Sequence, residues 1–114
     1  MDRHEKKQLR DYIGEHLDVS GTRLTDHEAR FLGNFLDQYD KTYKGRTKTH
    51  SRRRPGWSSD GKYIRNETFT DTFTDGVGIR QDYKYQDDDG DSGESTNVIT
   101  DARGILNWFR DHPS

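Results

Sequence analysis

The residues of this sequence best suited to chemistry are concentrated in one basic stretch, KGRTKTHSRRRPGW at positions 44–57. From Lys41 to Arg54 the chain has seven Lys or Arg side chains and His50, with no acidic residue. Clustered cations neutralise phosphates and release counterions, which gives affinity for nucleic acid with little sequence preference. Aromatic residues just downstream can stack on unpaired bases. The nucleic-acid-binding residues predicted from this pattern are Lys44, Arg46, Lys48, Arg52, Arg53, Arg54, Trp57 and Tyr63.

An acidic stretch balances the basic one. From Asp82 to Glu94 there are six acidic residues against the single Lys84, and the pI of the whole chain is only about 6.2. Such charge segregation also suits a protein partner, because complementary fields steer docking and set orientation. The alternative hypothesis is therefore a protein–protein interaction module: an inhibitor, an immunity-type protein or a regulatory subunit. Two roles are open for the acidic residues: they fold over the basic stretch and limit its affinity for nucleic acid, or they bind a separate basic partner protein.

A third hypothesis is a metal-independent ribonuclease. Such an enzyme needs a general base, a general acid and cations that stabilise the phosphorane. His50, the neighbouring arginines and a carboxylate such as Asp60 or Glu67 are the candidates. An arginine-rich loop is a poor support for a base, however, so the sequence favours a non-enzymatic accessory or regulatory module. No catalytic residue is predicted.

Neither a metal site nor a cofactor is predicted. The chain has no cysteine, and its five histidines form no HxxxH or HExxH pair. Asp87, Asp89 and Asp91 follow the start of a calcium loop, but Ser92 stands where its sixth position needs glycine. The twelfth position, which needs a bidentate glutamate, is Val98.

The bulk composition predicts a folded domain with a thin core. Hydrophobic residues make up 26% of the 114 residues and charged residues 35%, but Phe, Trp and Tyr number 5, 2 and 6. Aromatic side chains bury a large area each, which offsets the shortage of aliphatic ones. There is no apolar run long enough for a membrane span and no apolar signal region near the N-terminus. We therefore expect a cytoplasmic protein with no membrane partner.

Two amphipathic helices are predicted over residues 2–43, as an antiparallel hairpin. The first covers residues 2–18 and ends near Gly21. The second begins with a capping box, in which the Thr25 hydroxyl accepts from a backbone N–H and Glu28 reaches back. It carries a broad apolar stripe that continues to Tyr43.

A β-hairpin region is predicted over residues 57–86, between a basic loop at 44–56 and an acidic loop at 87–96. A connection over residues 74–78 would pair Phe73 with Ile79 and Phe69 with Tyr83, which places all four on one buried face. A shorter connection would split them between two faces, because a one-residue slip flips every side chain. Residues 62–65 form a possible third strand.

The C-terminal segment predicts a helix over residues 100–112. Thr100 is its expected N-cap, and Trp108 is expected to pack against the sheet. The order helix, helix, strands, helix gives an α+β fold with a small antiparallel sheet of two or three strands. The whole chain, 1–114, is expected to form one domain.

Overall fold

The helices and strands are defined by a computed structural model that describes residues 1–59 and 61–113. Their bounds are α1 Arg3–Gly14, α2 Asp26–Asp37, a π-helical turn Tyr39–Tyr43, β1 Thr47–Ser58, β2 Gly61–Phe73, β3 Ile79–Asp87, β4 Ser92–Ile99 and α3 Ala102–Asp111. The α+β class is therefore confirmed.

The first two helices begin where local capping chemistry places them. The Asp2 side chain accepts from Glu5 N at 2.8 Å and starts α1. The predicted capping box of α2 is present: Thr25 Oγ1 accepts from Glu28 N at 3.1 Å, and Glu28 Oε1 accepts from Thr25 N at 3.0 Å. These contacts satisfy backbone donors that have no partner within the helix.

The arrangement at the helix ends differs from the predicted hairpin. α1 stops at Gly14 instead of residue 18, because glycine weakens a helix, and Leu17 reaches the core from the turn that follows. α2 stops at Asp37 and gives way to the π-helical turn. There the buried Tyr39 hydroxyl donates to the carbonyl oxygen of Thr74 at 2.6 Å, which ties the turn to the β2–β3 connection.

The sheet has four antiparallel strands in the order β1-β2-β3-β4, so the prediction of two or three strands was wrong. Most of the predicted basic loop, 44–56, is the extended strand β1, and the predicted acidic loop, 87–96, is a four-residue turn at 88–91 between the end of β3 and the first part of β4. Both were expected to be loops because neither carries alternating apolar residues. Both are edge strands whose two faces stay largely exposed, so they need no apolar side.

The predicted register of β2 and β3 is confirmed. Phe73 pairs with Ile79 and Phe69 pairs with Tyr83, across a connection over residues 74–78. The prediction that all four side chains are buried holds only near the β2–β3 connection. Phe73 and Ile79 are buried there, whereas Phe69 and Tyr83, further along the strands, are half-buried.

The buried core lies between the helices and one end of the sheet. The N-cap of α3 is Asp101, whose carboxylate accepts from Gly104 N at 2.9 Å, rather than the expected Thr100. Trp108 packs against the sheet as expected, and its ring is 5.3 Å from that of Phe73. The buried apolar residues are Ile13, Leu17, Leu24, Ala29, Leu32, Phe35, Leu36, Tyr39, Phe73, Ile79, Ala102, Ile105 and Trp108.

The sheet extends well beyond the helices. The molecule measures 61 × 27 × 22 Å, with a radius of gyration of 18.1 Å. A compact domain of this length would have about 13 Å. We call the sheet face that meets α3 the inner face and the opposite one the outer face. The part of the inner face around Phe73 and Ile79 is the covered half, and the part from Phe69 and Tyr83 to Tyr63 and Tyr85 is the open half.

Candidate nucleic-acid interface

One face of β1 carries a row of basic side chains. Lys48 pairs with Asp71, His50 with Phe69 and Arg52 with Glu67. Paired residues project to the same face, and Asp71 contacts α3, so this is the inner face. We call the inner-face residues Lys48, His50, Arg52 and Arg54 the basic row. Arg46, two residues earlier, extends the row: it continues the pairing, since its carbonyl oxygen accepts from Phe73 N at 2.9 Å.

The far end of the basic row is anchored by a buried carboxylate. Glu67 is 2% exposed and accepts from Arg52 Nε at 2.7 Å, from Arg54 Nε at 2.8 Å and from the Tyr83 hydroxyl. Burial alone would raise the pKa of Glu67, but these hydrogen bonds outweigh it and lower the pKa to about 2. The Arg52 and Arg54 side chains are still 56% and 48% exposed, so each is held in place and remains accessible.

A second ion pair lies further out on the open half. Arg65 donates from Nε and Nη2 to the Asp87 carboxylate at 2.7 and 2.9 Å. Its guanidinium also lies over the Tyr85 ring at 4.0 Å and over the Tyr63 ring at 5.4 Å. The hydrogen bonds to Asp87 raise the pKa of Arg65 despite the opposing effect of desolvation. Arg65 therefore links β2 to the end of β3 through Asp87 and contacts two aromatic rings of the open half.

Two histidines meet where the covered half ends. The His50 ring stacks on Phe69, with centroids 4.7 Å apart and planes 8° from parallel. The His112 ring stacks on Trp108 at 4.4 Å and 15°. The two imidazole centroids are 6.4 Å apart, and both rings line a cavity of about 410 Å³ together with Arg52 and Tyr83.

The buried Asp71 lines this cavity next to His112. It is 6% exposed and accepts from Trp108 Nε1 at 2.9 Å, and its Oδ2 lies 3.5 Å from His112 Nε2. His112 Nδ1 lies 2.8 Å from the carbonyl oxygen of Trp108. Nδ1 is thus held by a hydrogen bond to the backbone, which orients the ring, whereas Nε2 has only a longer contact with the Asp71 carboxylate.

A second concavity of about 690 Å³ adjoins the first on the far side of His112. Arg46 and Lys48 form its basic rim, and its apolar wall includes Phe31, Tyr43, Phe73 and Phe109. Since both concavities share His112, they form one groove that follows β1 along the inner face.

The structure divides the predicted nucleic-acid-binding residues between surfaces. Arg46, Lys48, Arg52 and Arg54 share the inner face, while Lys44 precedes the strand. Arg53 and Trp57 alternate onto the outer face; Trp57 is 74% exposed, with Lys62 Nζ 5.1 Å from its ring centre. Tyr63 is on the inner face, where its ring lies over the backbone of Gly56.

Sequence reasoning missed four residues of this groove: Phe69, Asp71, Tyr83 and His112. Phe69 and Tyr83 were assigned to the buried core, because their register was read without knowing where the helices end. His112 was taken only as a residue suited to a helix C-terminus. The alternation of Lys48, His50 and Arg52 with Thr47, Thr49 and Ser51 was the signal that would have predicted a basic strand face.

The acidic residues do not lie over the basic row. β1 and β4 are opposite edges of the sheet, separated by β2 and β3. The turn after β3 is attached instead to β2: the Asp88 carboxylate accepts from Ile64 N at 3.0 Å, and Asp88 N donates to Ile64 O at 3.0 Å. The basic groove is therefore left open to a ligand.

Comparisons with protein-family models, with curated proteins and with solved structures gave no match. Across residues 1–59 and 61–113, no group of three or more His, Asp or Glu side chains is placed to hold a metal ion. Within the same ranges, no helix combines the length and apolar character needed to cross a membrane.

Proposed function

We propose that this protein binds single-stranded nucleic acid in the groove along the inner face of β1. The observation that carries the proposal is the basic row itself. Its side chains occupy alternate positions of one strand, so a ligand lying along β1 would meet a cation or imidazole every ~6.7 Å. The strand backbone spaces these groups more rigidly than a loop would.

The aromatic residues beside the basic row support the single-stranded form of the ligand. Phe69 lies between His50, which stacks on it, and Tyr83, whose ring is 5.1 Å away, so the exposed His50 and the half-buried Tyr83 are the rings that a base can reach. Rings of this kind stack on unpaired bases whatever their sequence. α3 stands at one end of the groove, which suits an extended strand better than a duplex. Binding would be electrostatic and weakly sequence-specific.

The overall pI of about 6.2 is compatible with this proposal because the charges are segregated. Lys48 and the basic residues beyond it share one sheet edge, whereas Glu94 and its acidic neighbours lie at the other edge. The attraction for phosphate would therefore be local to the groove and would disappear within about a Debye length of it.

The test is fluorescence anisotropy with a labelled single-stranded 12-mer, as RNA and as DNA, and with the matching duplex, over a salt series. The informative variant is Lys48→Ser, and its matched control is Arg53→Ser. Both remove one cation from β1, but Arg53 faces the other way. We expect Lys48→Ser to make the log–log salt slope shallower by about one and Arg53→Ser to leave it unchanged. Equal effects of both variants, or no binding at low salt, would refute the proposal.

A protein partner is the second candidate function, and Trp57 is the observation that favours it. β1 and β2 continue past the end of β3 as a two-stranded ribbon, and Trp57 is exposed on its outer face. Exposed tryptophans are frequent anchors of protein interfaces. In this case Trp57→Ser would abolish binding of a partner captured by the wild-type chain, and Lys48→Ser would not.

A further inference from the structure

We propose that the groove cleaves RNA without a metal ion, with His50 and His112 as its proton-transfer pair. This inference rests on the proposed function, because the RNA must first lie along the basic row. It also differs from the sequence-based hypothesis, in which His50 acted with Asp60 or Glu67. Asp60 lies outside the described residues, and Glu67 is already occupied by Arg52, Arg54 and Tyr83.

The geometry of the two imidazoles carries the proposal. Their centroids are 6.4 Å apart and their planes 61° from parallel, so the two rings are edge-to-face neighbours, and both line the same cavity. A phosphodiester lying in that cavity would have both imidazoles beside it, as proton transfer to and from one reacting group requires. Each ring is stacked on an aromatic side chain, Phe69 for His50 and Trp108 for His112. Because His50 belongs to a strand, the objection that a loop cannot hold a base does not apply.

The surroundings of the two rings assign a role to each histidine. His112 Nδ1 is held by the Trp108 carbonyl oxygen, so Nε2, 3.5 Å from Asp71 Oδ2, is the nitrogen left to donate a proton, and His112 is assigned the role of general acid. His50 lies between Lys48 and Arg52 in the basic row, where its exposed ring meets a ligand that follows β1, and it is assigned the role of general base.

The reaction is an internal transphosphorylation that balances without a co-reactant. His50 takes the proton from the ribose 2′-hydroxyl, and the resulting oxygen attacks the adjacent phosphorus. The bond from phosphorus to the 5′-oxygen of the next nucleotide breaks, and His112 donates a proton to that leaving oxygen. The products are a 2′,3′-cyclic phosphate and a free 5′-hydroxyl. Arg52 and Lys48 are placed to stabilise the charge on the phosphorane.

A reaction that needs both a general base and a general acid predicts a bell-shaped dependence of the cleavage rate on pH. The charged and titratable groups on the inner face around the pair are Arg46, which precedes β1, Lys48 and Arg52 of β1, Asp71 of β2, Tyr83 of β3 and Tyr43 of the π-helical turn. Asp82 borders the same cavity, but its carboxylate accepts from Thr96 on the outer face. The DNA strand of the same sequence should bind and stay intact, because it has no 2′-hydroxyl.

The experiment measures cleavage of an end-labelled RNA 12-mer in EDTA, with product termini identified by mass spectrometry. Binding is measured in parallel with the 2′-O-methyl form of the same RNA, which cannot react. We expect His50→Gln and His112→Asn to lower the cleavage rate at least 100-fold. Binding should weaken far less than the rate falls, although His50 belongs to the basic row. His27→Gln, an exposed histidine on α2, is the matched control and should cleave like the wild type.

The outcomes separate this inference from the proposed function. Binding of the 2′-O-methyl RNA without any cleavage by the wild type would overturn the ribonuclease inference alone. Absence of both would overturn the two proposals together. Cleavage that persists in both histidine variants would overturn the inference and identify a contaminating nuclease. If His112→Asn fails to fold because it contacts Asp71 and Trp108, the more exposed His50→Gln decides the question.

Discussion

The covered and open halves of the inner face bury their side chains by different means. In the covered half, Phe73 and Ile79 are 7% and 0% exposed because a helical layer packs on them. In the open half, Glu67 and Asp87 are 2% and 4% exposed, although the cover there consists of neighbouring side chains. In the covered half, side chains are buried by apolar contact between the helices and the sheet. In the open half, they are buried by ion pairs and aromatic rings of the sheet itself.

This difference explains why the candidate site lies at the boundary. Apolar burial would exclude a charged ligand, and a fully paired polar surface offers few free groups. At the boundary the cover of α3 has ended and the ion pairs of Glu67 have just begun. His50 and His112 are held there by stacking on Phe69 and Trp108, and Lys48 lines the groove beside them.

The largest effect is expected from a cavity in the covered half. Ile105 is fully buried in α3, so Ile105→Ala removes apolar contacts and leaves a cavity. We expect the free energy of unfolding in urea to fall by about 2–5 kcal/mol. Because the lost contact is apolar, the loss should be nearly the same at low and high salt.

Val98→Ala is the control for this prediction. Val98 is also a β-branched aliphatic residue, but it lies on the outer face and is 53% exposed. Its truncation should change the unfolding midpoint very little. If both variants destabilised the chain equally, the distinction between a covered and an uncovered face would be lost.

A smaller loss is expected from Glu67→Gln in the open half. Glutamine keeps the size of the side chain but has no negative charge and only one acceptor oxygen for the hydrogen bonds from Arg52, Arg54 and Tyr83. Charge-assisted hydrogen bonds predict a loss of about 1–3 kcal/mol, towards the lower end because water can reach both arginines. The control is Glu94→Gln, whose carboxylate is exposed and 3.9 Å from Lys84. Its unfolding midpoint should match that of the wild type.

The pH dependence of stability tests the same carboxylate. The pKa of Glu67 is lowered from 4.5 to about 2, so its contribution is present above pH 4.5 and is lost as the pH falls towards 2. Glu28 titrates over the same range, since its pairing with Arg103 lowers its pKa to about 2. Glu67→Gln should therefore lose less stability than the wild type between pH 5 and pH 2.5, though not zero. Identical urea midpoints in the two proteins at every pH would contradict this.

The parts of the fold that the sequence predicted correctly are set by local contacts. The α2 capping box needs only Thr25 and Glu28, three residues apart. The pairing of Phe73 with Ile79 follows from a choice between two faces, which the apolar residues of one hairpin decide. In both cases the interacting residues are close in the chain.

The missed features depend on polar patterns or on distant packing. β1 alternates small hydroxyl residues with cations, and its edge position tolerates Pro55, so a search for apolar alternation could not find it. His50 and His112 approach each other only because α3 packs across the end of the sheet. Nothing in the spacing of these two histidines along the chain indicates that contact.

The smallest effect is expected at Gly93, in the cross-strand pair with Tyr85. The Tyr85 ring lies over the Gly93 backbone, where an added Cβ would meet its Cζ at 2.8 Å. Gly93→Ala must therefore shift the ring, which weakens the contact between Tyr85 and Arg65 by roughly 0.5–1 kcal/mol. Alanine also restricts the unfolded chain, which offsets part of the loss.

Gly76→Ala separates these two contributions, because Gly76 has open space around its Cα and the substitution there only restricts the unfolded chain. We expect Gly93→Ala to unfold at a lower urea concentration than Gly76→Ala, and the Arg65 side-chain NMR signal to shift in Gly93→Ala alone. If the two variants were equally stable and the Arg65 signal did not move, the ring contacts would be incidental to the open half. Its order would then depend on the Glu67 and Asp87 ion pairs, and raising the salt concentration should loosen the whole open half while the covered half stays intact.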